Sequence, residues 1–206
     1  MMNIIILITT IFFASLFGQQ RSMIFNTGNP AYTCSESGGS YTDYSCSDEC
    51  AEDEICTILM DGYTLTQSNT LADKFTVNEN YALEAFGVYL TMGAESGNPA
   101  LDHTATIQIH ADSNDTPGEI LGEWNINVST AYYHSLYVGD GCIDLNVGDS
   151  YWISVHVDNS YTELIWLYTQ APFYTFSQTE DDGLTWDDSE YGVAGAAAIW
   201  EEQIYY

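Results

Sequence analysis

In the stretch HADSNDTPGEILGEW, Asp112, Asn114 and Asp115 place three oxygen-bearing side chains within four residues. Such side chains suit calcium, a hard cation that takes six or more oxygen ligands. One loop with three donors falls short of that number, so a second loop must contribute. Asp181, in the acid-rich stretch TEDDGLTW, is the candidate. The candidate metal set is therefore Asp112, Asn114, Asp115 and Asp181, with calcium as the candidate cofactor. A plainer reading accounts for the same residues. DSNDTPG lies between TATIQIHA and GEILGEW, two segments with strand character, so it serves as a hairpin connection, with Pro117 setting φ and Gly118 supplying a permissive backbone.

Carboxylates in pairs can also hydrolyse glycosides, provided that one stays protonated while the other is ionised. Asp181, Asp182, Asp187 and Asp188 surround Trp186, and an aromatic ring beside carboxylates suits a sugar. With 30 acidic residues in the chain, neighbouring acids arise by chance, and nothing in the pattern sets one apart from another. His103, His110, His134 and His156 show no HxH or HExxH spacing, and no GxSxG elbow or phosphate-cradling glycine loop is present. The sequence therefore points away from an enzyme.

Charge narrows the partners. The 206 residues carry 2 Lys+Arg against 30 Asp+Glu, a formal net charge of −28, and the two cations are Arg21 and Lys74. Nucleic-acid binding needs cations that release phosphate counterions, so it is excluded, and the same charge is repelled by anionic lipid. Neutral glycan, calcium and further copies of the chain remain. The apolar run MMNIIILITTIFFASLFG reads as a secretory signal peptide over 1–18, with an uncleaved N-terminal anchor as the alternative, and the first reading predicts an extracellular or cell-surface protein with no membrane insertion after cleavage. Five cysteines fit export. Cys34, Cys46, Cys50 and Cys56 cluster without the paired C-x2-C spacing of zinc sites, and Cys142 stands apart, so disulfides with one thiol left over are expected, the connectivity open.

These features need elements to position them. Residues 19–72 are rich in Ser, Gly, Thr and acids and read as a disulfide-pinned N-terminal segment. From residue 73 to 206 the pattern changes to short alternating runs between turns. In YWISVHVD, Tyr151, Ile153, Val155 and Val157 share one face, and Trp152, Ser154, His156 and Asp158 share the other. The spacing predicts an all-β, antiparallel, jelly-roll-like β-sandwich of about eight strands.

KFTV, IQIHADSNDTPGEILG and CIDLNVGDSYWISV together resemble the secreted β-sandwich modules of choice-of-anchor R type surface proteins, over about two-thirds of the chain. That resemblance implies a non-catalytic extracellular module and transfers no active residue. TEDDGLTW resembles the Asp-box, with Asp181, Gly183, Thr185 and Trp186 in register. The likeness implies a hairpin in which the Asp caps turn amides, the Gly takes the special φ and the ring packs underneath. It does not imply a sialidase, because the arginine triad of that family is missing and a single copy makes no propeller.

Sixteen tyrosines and five tryptophans fit both a sandwich core and a surface that stacks on sugars or on itself. Asn114 and Asn127 head sequons, the first weakened by Pro117. The reading favoured is a secreted, non-enzymatic structural or adhesive protein, with fibre formation as one outcome. The segment SMIFNT either completes the edge of its own sheet or adds a strand to a neighbour. The alternative is a carbohydrate-binding module that uses aromatic residues, with or without calcium.

Overall fold

A computed structural model of the chain describes residues 21–27, 62–93, 96, 102–128, 143–169 and 174–202, together with the strands at 33–36, 39–42, 55–57 and 133–137. The signal-peptide expectation for 1–18 and those for Cys46, Cys50 and Cys142 lie outside the described residues. The fold is all-β and antiparallel. Its strands are β1 (Arg21–Asn26), β2 (Thr33–Glu36), β3 (Gly39–Thr42), β4 (Ile55–Thr57), β5 (Gly62–Leu65), β6 (Thr70–Thr76), β7 (Tyr81–Met92) and β8 (Thr104–Asp112). They continue with β9 (Pro117–Asn127), β10 (Tyr133–Tyr137), β11 (Asp144–Leu145), β12 (Ser150–Val157), β13 (Leu164–Leu167), β14 (Tyr174–Thr179), β15 (Glu190–Gly192) and β16 (Ala197–Glu202).

One sheet runs β1-β16-β7-β13-β5, with β10 and β11 also pairing with β7, and the other runs β15-β14-β6-β12-β8-β9. A small sheet, β3-β2-β4, carries Cys34 directly opposite Cys56. The sandwich draws strands from both sides of residue 73, since β1, β5 and the start of β6 belong to the two large sheets. The strands outnumber the eight expected because several are only two to four residues long, too short for alternation to show in sequence.

Alternation explains the core. Tyr151, Ile153, Val155 and Val157 of β12 lie between the sheets with Leu71 and Phe75 of β6 and Phe86 and Val88 of β7. Rings tie one sheet to the other: Phe86 approaches Trp124 at 5.5 Å between centroids, and Phe25 stacks on Phe75 at 5.2 Å. The opposite face of β12, which sequence would leave to solvent, is also buried, with Trp152 and Ser154 at 0% exposure and His156 at 6%. Trp186, from the loop between β14 and β15, stands edge-on to His110 and His156 on this face, while the Lys74 ammonium lies over the Trp152 ring.

Candidate functional site

The turn between β8 and β9 is built by Asn114 and Asp115, whose φ values of 55° and 69° are left-handed, rather than by Pro117 and Gly118. Asn and Asp tolerate that region because their short side chains bond locally; the Asp115 amide donates to Asp112 at 3.3 Å. Gly118 has a different use: a Cβ there would meet Ser113 Cβ at 2.7 Å. Asp112 and Asp115 converge on the Lys74 ammonium, at 2.9 and 2.5 Å. Trp152 Nε1 donates to Asp112 at 2.8 Å, and the ammonium lies 5.3 Å from the Trp152 ring centre. Ser189 donates to the other Asp115 oxygen. Burial pulls the Lys74 pKa down, but the bonds to Asp115 and Asp112 outweigh it and the net shift is upward. For Asp112 burial pushes up and Lys74 and Trp152 pull further down, while Asp115 is lowered chiefly by its bond to Lys74. A lysine thus holds the position between the two carboxylates that calcium would take.

Asp181, the fourth candidate ligand, is committed to its own hairpin. Its carboxylate accepts from Thr179 Oγ1 at 2.7 Å, the Thr185 amide at 2.8 Å and Thr185 Oγ1 at 2.6 Å. Those bonds, Thr185 foremost, lower its pKa to about 2. Asp182 and Gly183 turn the chain with φ of 61° and 80°. Asp112 and Asp115 therefore meet at Lys74, and Asp181 serves a separate turn. Among the described residues, no three His, Cys, Asp or Glu side chains converge on a point that could hold a metal. Asn114 and Asn127 are both exposed.

Beneath Trp186 runs a polar chain that sequence spacing did not reveal, because its members come from β6, β8, β12 and a loop. The Gly118 carbonyl accepts from His110 Nδ1 at 3.2 Å, which fixes the proton of neutral His110 on that nitrogen. His110 Nε2 then accepts from the Ser154 hydroxyl at 2.8 Å, and Ser154 in turn accepts from His156 Nε2 at 2.9 Å. His156 Nδ1 is left to accept from Thr70 Oγ1 at 3.4 Å when neutral, or to donate to Asp182 at 3.3 Å when protonated. Burial lowers both imidazoles, His110 to about 4. Ser154, His156 and Asp182 reproduce the order hydroxyl, imidazole, carboxylate used in nucleophilic catalysis. The proton runs the other way here: Ser154 gives its hydrogen to His110 and is wholly buried. The chain acts as a satisfied polar seam that seats the 180–189 hairpin on the sheet.

Three turns meet at the same end of the sandwich. In the β5–β6 turn, Thr66 and Asn69 bond each other, and the Asn69 amide reaches the Thr64 carbonyl at 2.8 Å. The β12–β13 turn is held by Thr162 to Asn159, and the Asp182 amide ties the 180–184 turn to the Ser68 carbonyl at 3.1 Å. Between them opens a cleft of about 550 Å³ whose lining includes Gln67, Ser68, Ser160, Tyr161 and Asp182. Compared with protein families, curated proteins and solved structures, the chain matches none.

Proposed function

We propose that the protein is a secreted, non-enzymatic structural or adhesive component of the cell surface or of an extracellular assembly, and that copies join through β1. The observation that supports this reading is how β1 closes the sandwich. It pairs antiparallel with β16, from Arg21↔Glu202 to Asn26↔Ala198, at the edge of its sheet. Phe25 reaches inward to Phe75 and meets Tyr174 edge-on at 5.9 Å. Thr27, fully buried, donates to the Gly195 carbonyl at 2.9 Å and accepts from the Ala197 amide at 2.7 Å.

The nearest of these partners in sequence is Phe75, and the next strand of the large sheets, β5, begins only at Gly62. In this chain β1 completes the edge of its own sheet. Because its partners among the described residues are all remote in sequence, the same place can be filled by β1 of a second copy through the same main-chain bonds and the same Phe25 pocket. Such a contact is heterologous and grows into a fibre unless it closes on itself. The charge of −28 opposes it, so assembly strengthens as salt shortens the screening length to about 3 Å at 1 M. The test is light scattering on the mature chain with and without residues 19–30. The mature chain forms species whose mass rises with concentration and salt, and the shortened chain does not. A mature chain that stays monomeric at high salt and concentration overturns the proposal.

A further inference from the structure

The cleft between the three turns has the composition of a ligand site. Its volume of about 550 Å³ lies within the range of small-molecule pockets, about 300–1,000 Å³. Tyr161 stands on its rim at 42% exposure. The ring is held in place: its hydroxyl donates to the Asp102 carbonyl at 3.3 Å, and it meets His103 with centroids 5.9 Å apart. His103 is itself buried and bonded to Thr162 Oγ1 at 2.7 Å. An exposed aromatic fixed from two sides gives contact area with little ordering entropy to lose on binding. Around it, Gln67, Ser68 and Ser160 bring amide and hydroxyl groups that both donate and accept, while Asp182 and Glu163 bring acceptors.

We infer that this cleft binds a neutral saccharide, with Tyr161 as the stacking platform. The chemistry selects the class. A ligand here must offer one apolar face to the Tyr161 ring and hydroxyls to the mixed donors and acceptors around it, which a pyranose does. Anionic sugars are disfavoured, since among the described residues no Lys or Arg lines the cleft and the chain carries −28. A dedicated metal cage is not formed by the described acids. The site also extends past one ring. A second hollow of about 280 Å³ shares Gln67 and Asp182 with the first and continues over Gln108 and Glu123 on the outer face of β8 and β9. The two together fit an oligosaccharide. This site lies apart from β1, so it stands whether or not copies assemble.

The test is calorimetric titration of the mature protein with cellohexaose, xylohexaose, maltohexaose, mannohexaose and laminarihexaose, with spermidine as a cationic probe. At least one hexasaccharide binds. Tyr161→Ala then weakens it about tenfold, the loss of one stacked ring, and Tyr161→Phe, which keeps the ring, does not. Tyr191→Ala, exposed but outside the cleft, leaves affinity unchanged. Should Tyr161→Ala unfold, Gln67→Ala serves in its place, since Gln67 is an exposed turn residue, and it too weakens binding. The inference is overturned if none of the five binds at about 5 mM, a limit that corresponds to only about 3 kcal/mol. It is also overturned if affinity survives both Tyr161→Ala and Gln67→Ala, or if spermidine alone binds.

Discussion

Asp73 sits in the middle of β6, paired across the sheet with Ile153 and Phe176, and is 0% exposed. Among the described residues, neither carboxylate oxygen has a hydrogen-bond partner of good geometry. Burial raises its pKa well above 3.8, and the nearby Gly195 main chain offsets only part of this. In the folded chain the carboxyl therefore keeps its proton to higher pH than in the unfolded chain. The sign follows: stability from Asp73 is fully present below pH 3.8 and falls as pH rises, until the folded pKa is passed. Within that window wild type loses about 1.4 kcal/mol per pH unit relative to a variant that cannot ionise. Asp73→Asn keeps shape and polarity, so it matches wild type near pH 3.5 and becomes progressively more stable above pH 4. One pH unit inside the window raises its melting temperature relative to wild type by about 3–6 °C for a chain of this size. Asp73→Leu adds a pH-independent gain of about 1–3 kcal/mol by removing the unsatisfied polar group. That gain is offset to the extent that the larger side chain overpacks.

The assay is urea denaturation from pH 3.5 to 8, followed by tryptophan emission, since Trp152 and Trp166 are fully buried. Urea leaves ionic strength constant. The difference between Asp73→Asn and wild type isolates this carboxyl, because His110 and the other titrating groups contribute equally to both. A difference independent of pH, or a wild type more stable than Asp73→Asn at pH 7, refutes the reasoning.

Three further outcomes are expected. Asp181, with its pKa lowered to about 2, contributes stability that is present above 3.8 and lost as pH falls toward 2. Acidification through that window, or Asp181→Ala at neutral pH, loosens the hairpin and shifts Trp186 emission; an unchanged spectrum would contradict this. Lys74→Met leaves Asp112 and Asp115 facing each other without the ammonium and destabilises by about 1–2 kcal/mol. Millimolar calcium restores part of that loss but adds about 1 kcal/mol or less to wild type, as melting curves with and without calcium will show. Cys34 and Cys56 are register partners between β2 and β4. Opposite residues in antiparallel strands have Cα atoms about 4.5–5.5 Å apart, within disulfide range, so non-reducing peptide mapping of the exported protein finds Cys34 joined to Cys56, not to Cys46, Cys50 or Cys142.

The fold class was legible because period-two alternation dictates which side chains share a face: Tyr151, Ile153, Val155 and Val157 all enter the core. Alternation says nothing about whether the second face is covered: His156 lies against Trp186 of a hairpin remote in sequence, and Trp152 lies against Lys74 and Asp112. DSNDTPG was recognisable as a turn from its residue types, yet the left-handed positions fall on Asn114 and Asp115. The role of Lys74 had one available signal, since it is one of only two cations in a chain of 30 acids. The cleft had none. Its walls come from turns near residues 67, 161 and 182, and only the sheet order brings them together.

Whether β1 joins copies is decided by cross-linking between two variants. Met23 and Trp200 are register partners between β1 and β16, the first exposed and the second half-buried. Met23→Cys is made in one copy and Trp200→Cys in another, and the two are mixed at high salt and oxidised, with the unsubstituted protein as the control for native thiols. Exchange of β1 predicts a disulfide between position 23 of one variant and position 200 of the other, identified by mass spectrometry, that forms only in the mixture. If that link is absent from the mixture while a single chain carrying both substitutions forms it internally, β1 closes its own sandwich and assembly through it is contradicted.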